Sequence, residues 1–291
     1  MNKRNSFVAL FALFILIPIQ AQLLWKVSGN GLTKPSYLFG THHLIEKNQI
    51  KDFDKILNLA GQADAVVGEM DMSNMLSLQL KMLNGVMMKD TLLKDLMSQA
   101  DYTLVDTEFK LLMNVGLDKL GNMKPMMLSS MYTIMTYTKQ ANLTKQPEAV
   151  DLLFQKRAQE ENKQVIGLET IEQQLNILFN SIPLKRQAEI LVQEVKEKDK
   201  GIEQLKKLNE AYLSGDLKTL EDLNNEDHDM TAREKKIIID DRTSGWVKQL
   251  SALIPVKSCF VAVGCMHLVG PAGLIDLLKK AGYTVEGVDV F

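Results

Sequence analysis

The chain has 291 residues, with 34 Lys and Arg against 36 Asp and Glu, a net charge of −2 and two cysteines. A near-neutral balance without basic runs excludes nucleic acid and anionic membrane as principal partners. Two cysteines exclude a disulfide-built scaffold, and a chain of this length can bury a large core without staples.

The N-terminus sets Lys3 and Arg4 before an uncharged apolar run, Phe7 to Ile19, which is followed by Gln20 and Ala21. Basic, apolar and small residues in that order read as a secretory signal peptide, residues 1–21, cut after Ala21. The competing reading is an uncleaved anchor, because no charge returns before Lys26. The run contains Pro18 and falls short of the roughly 20 residues that span a bilayer. The expectation is export to the periplasm or the extracellular space, with no stable membrane span after cleavage. Cleavage leaves 32 basic and 36 acidic residues, a charge of −4.

Leu23–Val27 and Tyr37–Phe39 read as strands of a hairpin, with turn chemistry in Ser28-Gly29-Asn30-Gly31 and Pro35. Residues 50–60 carry helical spacing and stop at Gly61. Ala65-Val66-Val67-Gly68-Glu69 is a β-branched strand. Residues 73–141 turn helical and methionine-rich, with breaks at Gly85, Gly116 and Gly121. The methionines read as adaptable core filler or, alternatively, as a plastic apolar groove. A helix from Pro147 to Glu161 precedes a strand over 164–168, and residues 170–254 read as helix with breaks near Pro183, Gly201 and Gly215. The chain closes with a strand over 257–263, a helix over 271–280 and a strand over 283–288. Cys259 and Cys265 share one face of that strand roughly 20 Å apart at about 3.3 Å per residue, too far to pair. Strands at both ends around a helical middle predict an α/β fold: one domain over 22–291, its central mixed sheet built from both chain ends.

One internal echo stands out. Tyr37-Leu38-Phe39-Gly40-Thr41-His42-His43-Leu44 parallels Val261-Ala262-Val263-Gly264-Cys265-Met266-His267-Leu268, in a chain with four histidines. Ligands of open α/β sheets bind at the carboxyl ends of strands. His43, His267, Glu69 and Glu169 each sit just past a predicted strand end and would converge if the strands are parallel neighbours. Two histidines and a carboxylate with an open position form a catalytic metal set, whose bound water is acidified, and a further carboxylate can act as base. His43, His267 and Glu69 are therefore the candidate ligands, and Glu169 the base or fourth ligand. Gly40 and Gly264 would let the backbone turn and approach a ligand closely. The competing readings are hydrogen-bonded loop histidines and carboxylates favoured by a helix N-terminus. His42 could substitute for His43, while His228, in a polar segment, reads as solvated. Arg242 reads first as a surface partner of Asp240 or Asp241, and otherwise as a guanidinium for a substrate carboxylate or oxyanion. Cys265 reads as structural.

Taken in order, Leu38-Phe39-Gly40-Thr41-His42-His43, Val66-Val67-Gly68-Glu69, Val165-Ile166-Gly167-Leu168-Glu169-Thr170-Ile171-Glu172-Gln173-Gln174, Arg242 with Trp246, and Val261 to Gly270 resemble the TraB/GumN family. Its relatives include the Tiki metalloproteases and a wider superfamily of haem-binding and erythromycin-esterase-like proteins. The resemblance runs from about residue 23 to 288 and implies an α/β fold with a metal-dependent site. It assigns metal or catalytic roles to His43, His267 and Glu69, and extends them to Glu169 and Arg242. Two departures are visible: histidine stands at both 42 and 43, and Thr243 stands where asparagine is expected. The implied activity is an exported divalent-metal hydrolase (Zn, Mn or Co; Fe suits the same ligands) cutting a peptide or protein. The alternatives are a non-enzymatic binding protein for metal, haem or peptide, a metal-free esterase using histidine as base, and an assembly factor for exported polysaccharide.

Overall fold

The computed structural model describes residues 22–226 and 230–289; the predicted signal peptide and His228 lie outside them. β1 (Leu24–Ser28) and β2 (Ser36–Thr41) form the expected antiparallel hairpin, with Leu24 opposite Phe39 and Val27 opposite Ser36. Its turn carries Gly29, Asn30 and Gly31 at φ 75°, 46° and 80°, a left-handed run that glycine and asparagine adopt at least cost.

Three more strands lie parallel to β2: β3 (Ala65–Met70), β4 (Gln164–Glu169) and β5 (Cys259–Gly264). β6 (Thr284–Gly287) pairs antiparallel with β1 and closes a six-stranded mixed sheet of order β4-β3-β5-β2-β1-β6. Val66, Val67, Phe260, Val261 and Ala262 are buried to 1% exposure or less. Continuous apolar runs of this kind belong to strands covered on both faces, and each buried valine or phenylalanine contributes roughly 1.5–3 kcal/mol.

The sheet core takes in α1 (Phe53–Gln62), α6 (Val150–Glu160), α9 (Lys198–Ser214), α10 (Leu217–Asn225), α12 (Asp241–Leu253) and α13 (Leu274–Lys280). A second core forms from α3 (Gln99–Met113), α4 (Leu117–Leu120), α5 (Pro125–Gln140) and α8 (Leu184–Lys196), around Val105, Phe109, Leu128 and Leu191. Between them, α2 (Met75–Gly85) and α7 (Ile171–Asn180) pack around Val86, Leu175 and Phe179. Met70, Met87, Met126 and Met127 fill that seam, whereas Met75 and Met82 are exposed. The methionine-rich stretch is thus core filler only in part.

Gly85, Gly116, Gly121 and Gly215 end or begin helices as expected. Gly201 does not break one. It lies inside α9, and the break falls at Glu197, where α8 gives way to α9. A Cβ added at Gly201 would meet nothing within 4 Å. Gly201→Ala should therefore raise stability by about 0.5–1 kcal/mol, through lost unfolded-state entropy and better helix propensity. A urea midpoint unchanged or lowered in the variant would refute this.

Among the described residues no helix is long and apolar enough to cross a membrane. Both cysteines are buried and free, as their spacing required. Burial pushes each thiol up to about 12, which leaves Cys265 an inert packing residue.

Candidate functional site

Strand order decides which side chains meet. β5 lies between β2 and β3, and β4 lies beyond β3, all four parallel. Their carboxyl ends share one edge, and the two Gly-x-x-His segments leave it side by side, with Thr41 registered on Gly264. Gly40 is needed because a Cβ there would lie 2.9 Å from Leu268 Cδ1 and 3.1 Å from Cys265 Cβ. The space serves packing of one segment on the other, where the sequence had suggested close approach to a ligand.

At this edge Glu69 is the penultimate residue of β3, Glu169 ends β4, and His267 lies in the short helical turn after β5. The residue joining them is Arg242, 5% exposed and far from the surface pairing with Asp240 or Asp241 that its neighbours suggested. Its Nε donates to Glu169 Oε1 at 2.8 Å, and Nη2 donates to Glu69 Oε2 at 2.7 Å and Glu169 Oε2 at 3.0 Å. Nη1 donates to the Ile238 carbonyl at 3.2 Å and faces His267 Nε2 at 3.3 Å. Every guanidinium N–H has an acceptor, which is what makes a buried charge tolerable. Glu69 also accepts from the Gly264 N–H at 3.0 Å and Gln174 Nε2 at 3.1 Å, and Glu169 accepts from Trp246 Nε1 at 3.0 Å.

A helical irregularity aims Arg242. Before α12, α11 (Ala232–Lys235) runs into a π turn, Lys236–Asp240, where the Asp241 N–H bonds Lys236 O five residues back. Such turns carry one extra residue and recur at functional sites. Here the neighbouring carbonyls accept side chains: Ile238 O from Arg242, and Ile239 O from the Thr243 hydroxyl at 2.8 Å.

These bonds fix the His267 tautomer. Arg242 can only donate, so Nε2 carries the lone pair and Nδ1 the proton, which goes to Thr243 Oγ1 at 2.7 Å. Threonine thus supplies an acceptor where asparagine had been expected. Trp246 packs on the ring at 4.4 Å between centroids. Burial, opposed by Glu69 and assisted by Arg242, lowers His267 from 6.5 to about 4, so it is neutral at physiological pH. Burial acts to raise the Glu69 carboxyl, but its electrostatic coupling to His267, the Arg242 guanidinium and the Gly264 N–H outweigh it and hold it below the ordinary range.

The other histidines divide the labour. His42 is buried; its Nδ1 accepts the Leu44 N–H at 3.2 Å, and its ring stands edge-on to Tyr212 at 5.3 Å. Burial, with the adjacent His43 charge, lowers it to about 4 against the opposing pull of the Asn209 side-chain oxygen. With Nδ1 engaged in this way, His42 is poorly placed to replace His43. His43 is 61% exposed, with Nδ1 3.8 Å from Asp151 Oδ1. Glu69, Glu169, Arg242 and His267 thus form one bonded network, while His43 sits at the same sheet edge beside Asp151.

The divalent ion expected at His43, His267 and Glu69 finds no ready donor set in this arrangement. The His267 lone pair and the Glu69 carboxylate are taken by Arg242, Gly264 and Gln174. Among the described residues no group of three or more His, Cys, Asp or Glu is arranged to hold a metal. The pocket already contains its cation, a guanidinium.

Two grooves flank the network. One, of about 300 Å³, is lined by Glu169, Arg242, Gln173 and Ile237. The other, of about 370 Å³, is apolar and bounded by Leu205, Leu208, Leu223, Ile238, Ile239 and Met266.

Residues 23–287 match the family model described as TraB/PrgY/gumN. The chain belongs to the TraB/PrgY/gumN family. No curated protein and no solved structure matches it. In this TraB/PrgY/gumN member, Asp151, Thr243, Trp246 and Gln174 join the site without having been weighed as site residues from sequence. Trp246 carried a signal in its i+4 spacing from Arg242, Thr243 in its departure from the expected asparagine and Gln174 in its motif, whereas Asp151 carried none.

Proposed function

We propose that the chain is an exported hydrolase, acting on a peptide or protein at the carboxyl edge of its sheet. The observation that carries this reading is a Glu69–Arg242–Glu169 cluster, built around a buried guanidinium and locked to neutral His267, next to solvent-facing His43. Buried charges cost stability and concentrate at working sites. His43 is the one described histidine of the edge open to solvent, and it serves as general base. Arg242 holds Glu69, Glu169 and His267 in register. The apolar groove beside Met266 suits an apolar side chain of the substrate. A Zn, Mn or Co ion would supply an acidified water if bound, but no step here depends on it because the donors are otherwise engaged. The Lys3-Arg4 start, apolar run and Ala21 support export.

The same apolar groove favours one alternative, a non-enzymatic carrier of peptide or haem. A peptide library incubated with wild type, His43→Ala and His267→Ala, with chelator or with added Mn²⁺, Co²⁺ or Zn²⁺, separates the readings. The expected result is cleavage that falls by about 100-fold or more in His43→Ala, the upper range for loss of a general base being 10⁴-fold. Metal content measured alongside decides the ion, and His43→Ala and His267→Ala leaving bound metal unchanged would remove both from its ligand set. An absence of cleavage together with a haem Soret shift would replace the hydrolase reading with the carrier.

A further inference from the structure

Asp151 lies in the first turn of α6, and its Oδ1 is sealed from solvent without a hydrogen bond. The His43 Nδ1 lies 3.8 Å from it. The helix carrying Asp151 is fixed to both strands that frame the site. Gln155 donates to Met70 O at 2.9 Å and accepts the Met72 N–H at 2.8 Å, which ties α6 to the end of β3 just past Glu69. Phe154 meets Phe39 edge-on at 5.3 Å, which ties α6 to β2 four residues before His43. The carboxylate is therefore held still while the exposed imidazole turns, and closing the gap by somewhat less than 1 Å makes an ordinary N–H···O bond.

We propose that Asp151 is the positioning residue of His43. It accepts the Nδ1 proton, fixes the ring orientation and leaves the Nε2 lone pair for the reacting group. A carboxylate behind a working histidine sets its tautomer in this way, whether the histidine is a base or a ligand. The proposal rests on His43 being the working histidine of the hydrolytic centre. The ordinary competitor is an aspartate that only stabilises the N-terminus of α6.

Nitrogen spectra of ¹⁵N-histidine-labelled full-length protein at alkaline pH read the tautomer directly, with His43→Ala assigning the signal. Wild type is expected to show His43 protonated at Nδ1. Asp151→Ala should make the Nε2–H form the major species, and Asp151→Asn, which keeps an oxygen acceptor, should retain part of the Nδ1–H form. Where a peptide substrate is in hand, turnover should fall about 10–100-fold in Asp151→Ala and less in Asp151→Asn. A wild-type His43 protonated at Nε2, or a tautomer that Asp151→Ala leaves unmoved, overturns the proposal. The wild-type spectrum decides even if the alanine variant does not fold. The expected tautomer without any peptide cleavage upholds the pairing and removes the peptidase reading instead.

Discussion

Arg242→Ala is expected to be among the most destabilising single substitutions in this chain. It leaves Glu69 and Glu169 facing each other at the partly buried end of β3 and β4 with no counter-charge. Removing one partner of a buried ion cluster typically costs about 3–5 kcal/mol. At roughly 2–4 °C per kcal/mol for a chain of this size, the thermal midpoint should fall by about 10 °C. Arg242→Lys should recover little, because an ammonium has three donors and no planar fork for acceptors spread over two carboxylates, a carbonyl and an imidazole. Adding Glu69→Gln and Glu169→Gln to Arg242→Ala should restore part of the loss, since the desolvated charges disappear together. A midpoint within about 2 °C of wild type for Arg242→Ala would mean the cluster is not held as described.

Mild acid is the second severe perturbation. His42 and His267 are each lowered from 6.5 to about 4 by burial, and both are neutral in the fold. Between those values the unfolded chain binds protons that the folded chain refuses, so stability falls as pH drops. One pKa unit corresponds to about 1.4 kcal/mol, giving roughly 3 kcal/mol for each histidine by about pH 4. Glu69, held below its ordinary value, adds a loss of the same sign at still lower pH, as its carboxylate is finally protonated. Urea titrations at about pH 7.5, 6 and 5 should show a midpoint that declines steadily. His42→Gln should remove about half of that dependence, and a midpoint that does not change with pH would contradict the neutral, buried state of both rings.

The strand ends were legible because Glu69, Glu169 and His267 each close a short β-branched or apolar run, a signal contained within a few residues. Parallel pairing then did the rest, since adjacent parallel strands release their chains at one edge. Arg242 was misjudged for the opposite reason. Its partners lie 73 and 173 positions away, and Asp240 and Asp241 were the only acceptors that local spacing could offer. Asp151 and Gln174 were passed over because a polar residue near a helix start has an adequate local explanation. The π turn leaves no trace in the apolar pattern, so the direction in which Arg242 points could not be anticipated. Gly201 shows a propensity rule overridden, with α9 continuing through a residue that usually weakens helices.

The position of β5 has a consequence for how the molecule is made. It is the strand between β2 and β3, yet it begins at Cys259, after most of the chain has been synthesised. Until it arrives, β1–β2 and β3–β4 are two separate ribbons, each with an open edge where β5 will insert. Such edges invite pairing with other chains, and long-range parallel pairing is slow to form. The edge that gathers Glu69, Glu169 and His267 can therefore assemble only once β5 is present, and a chain cut short before residue 259 would carry two adhesive ribbons and no such cluster.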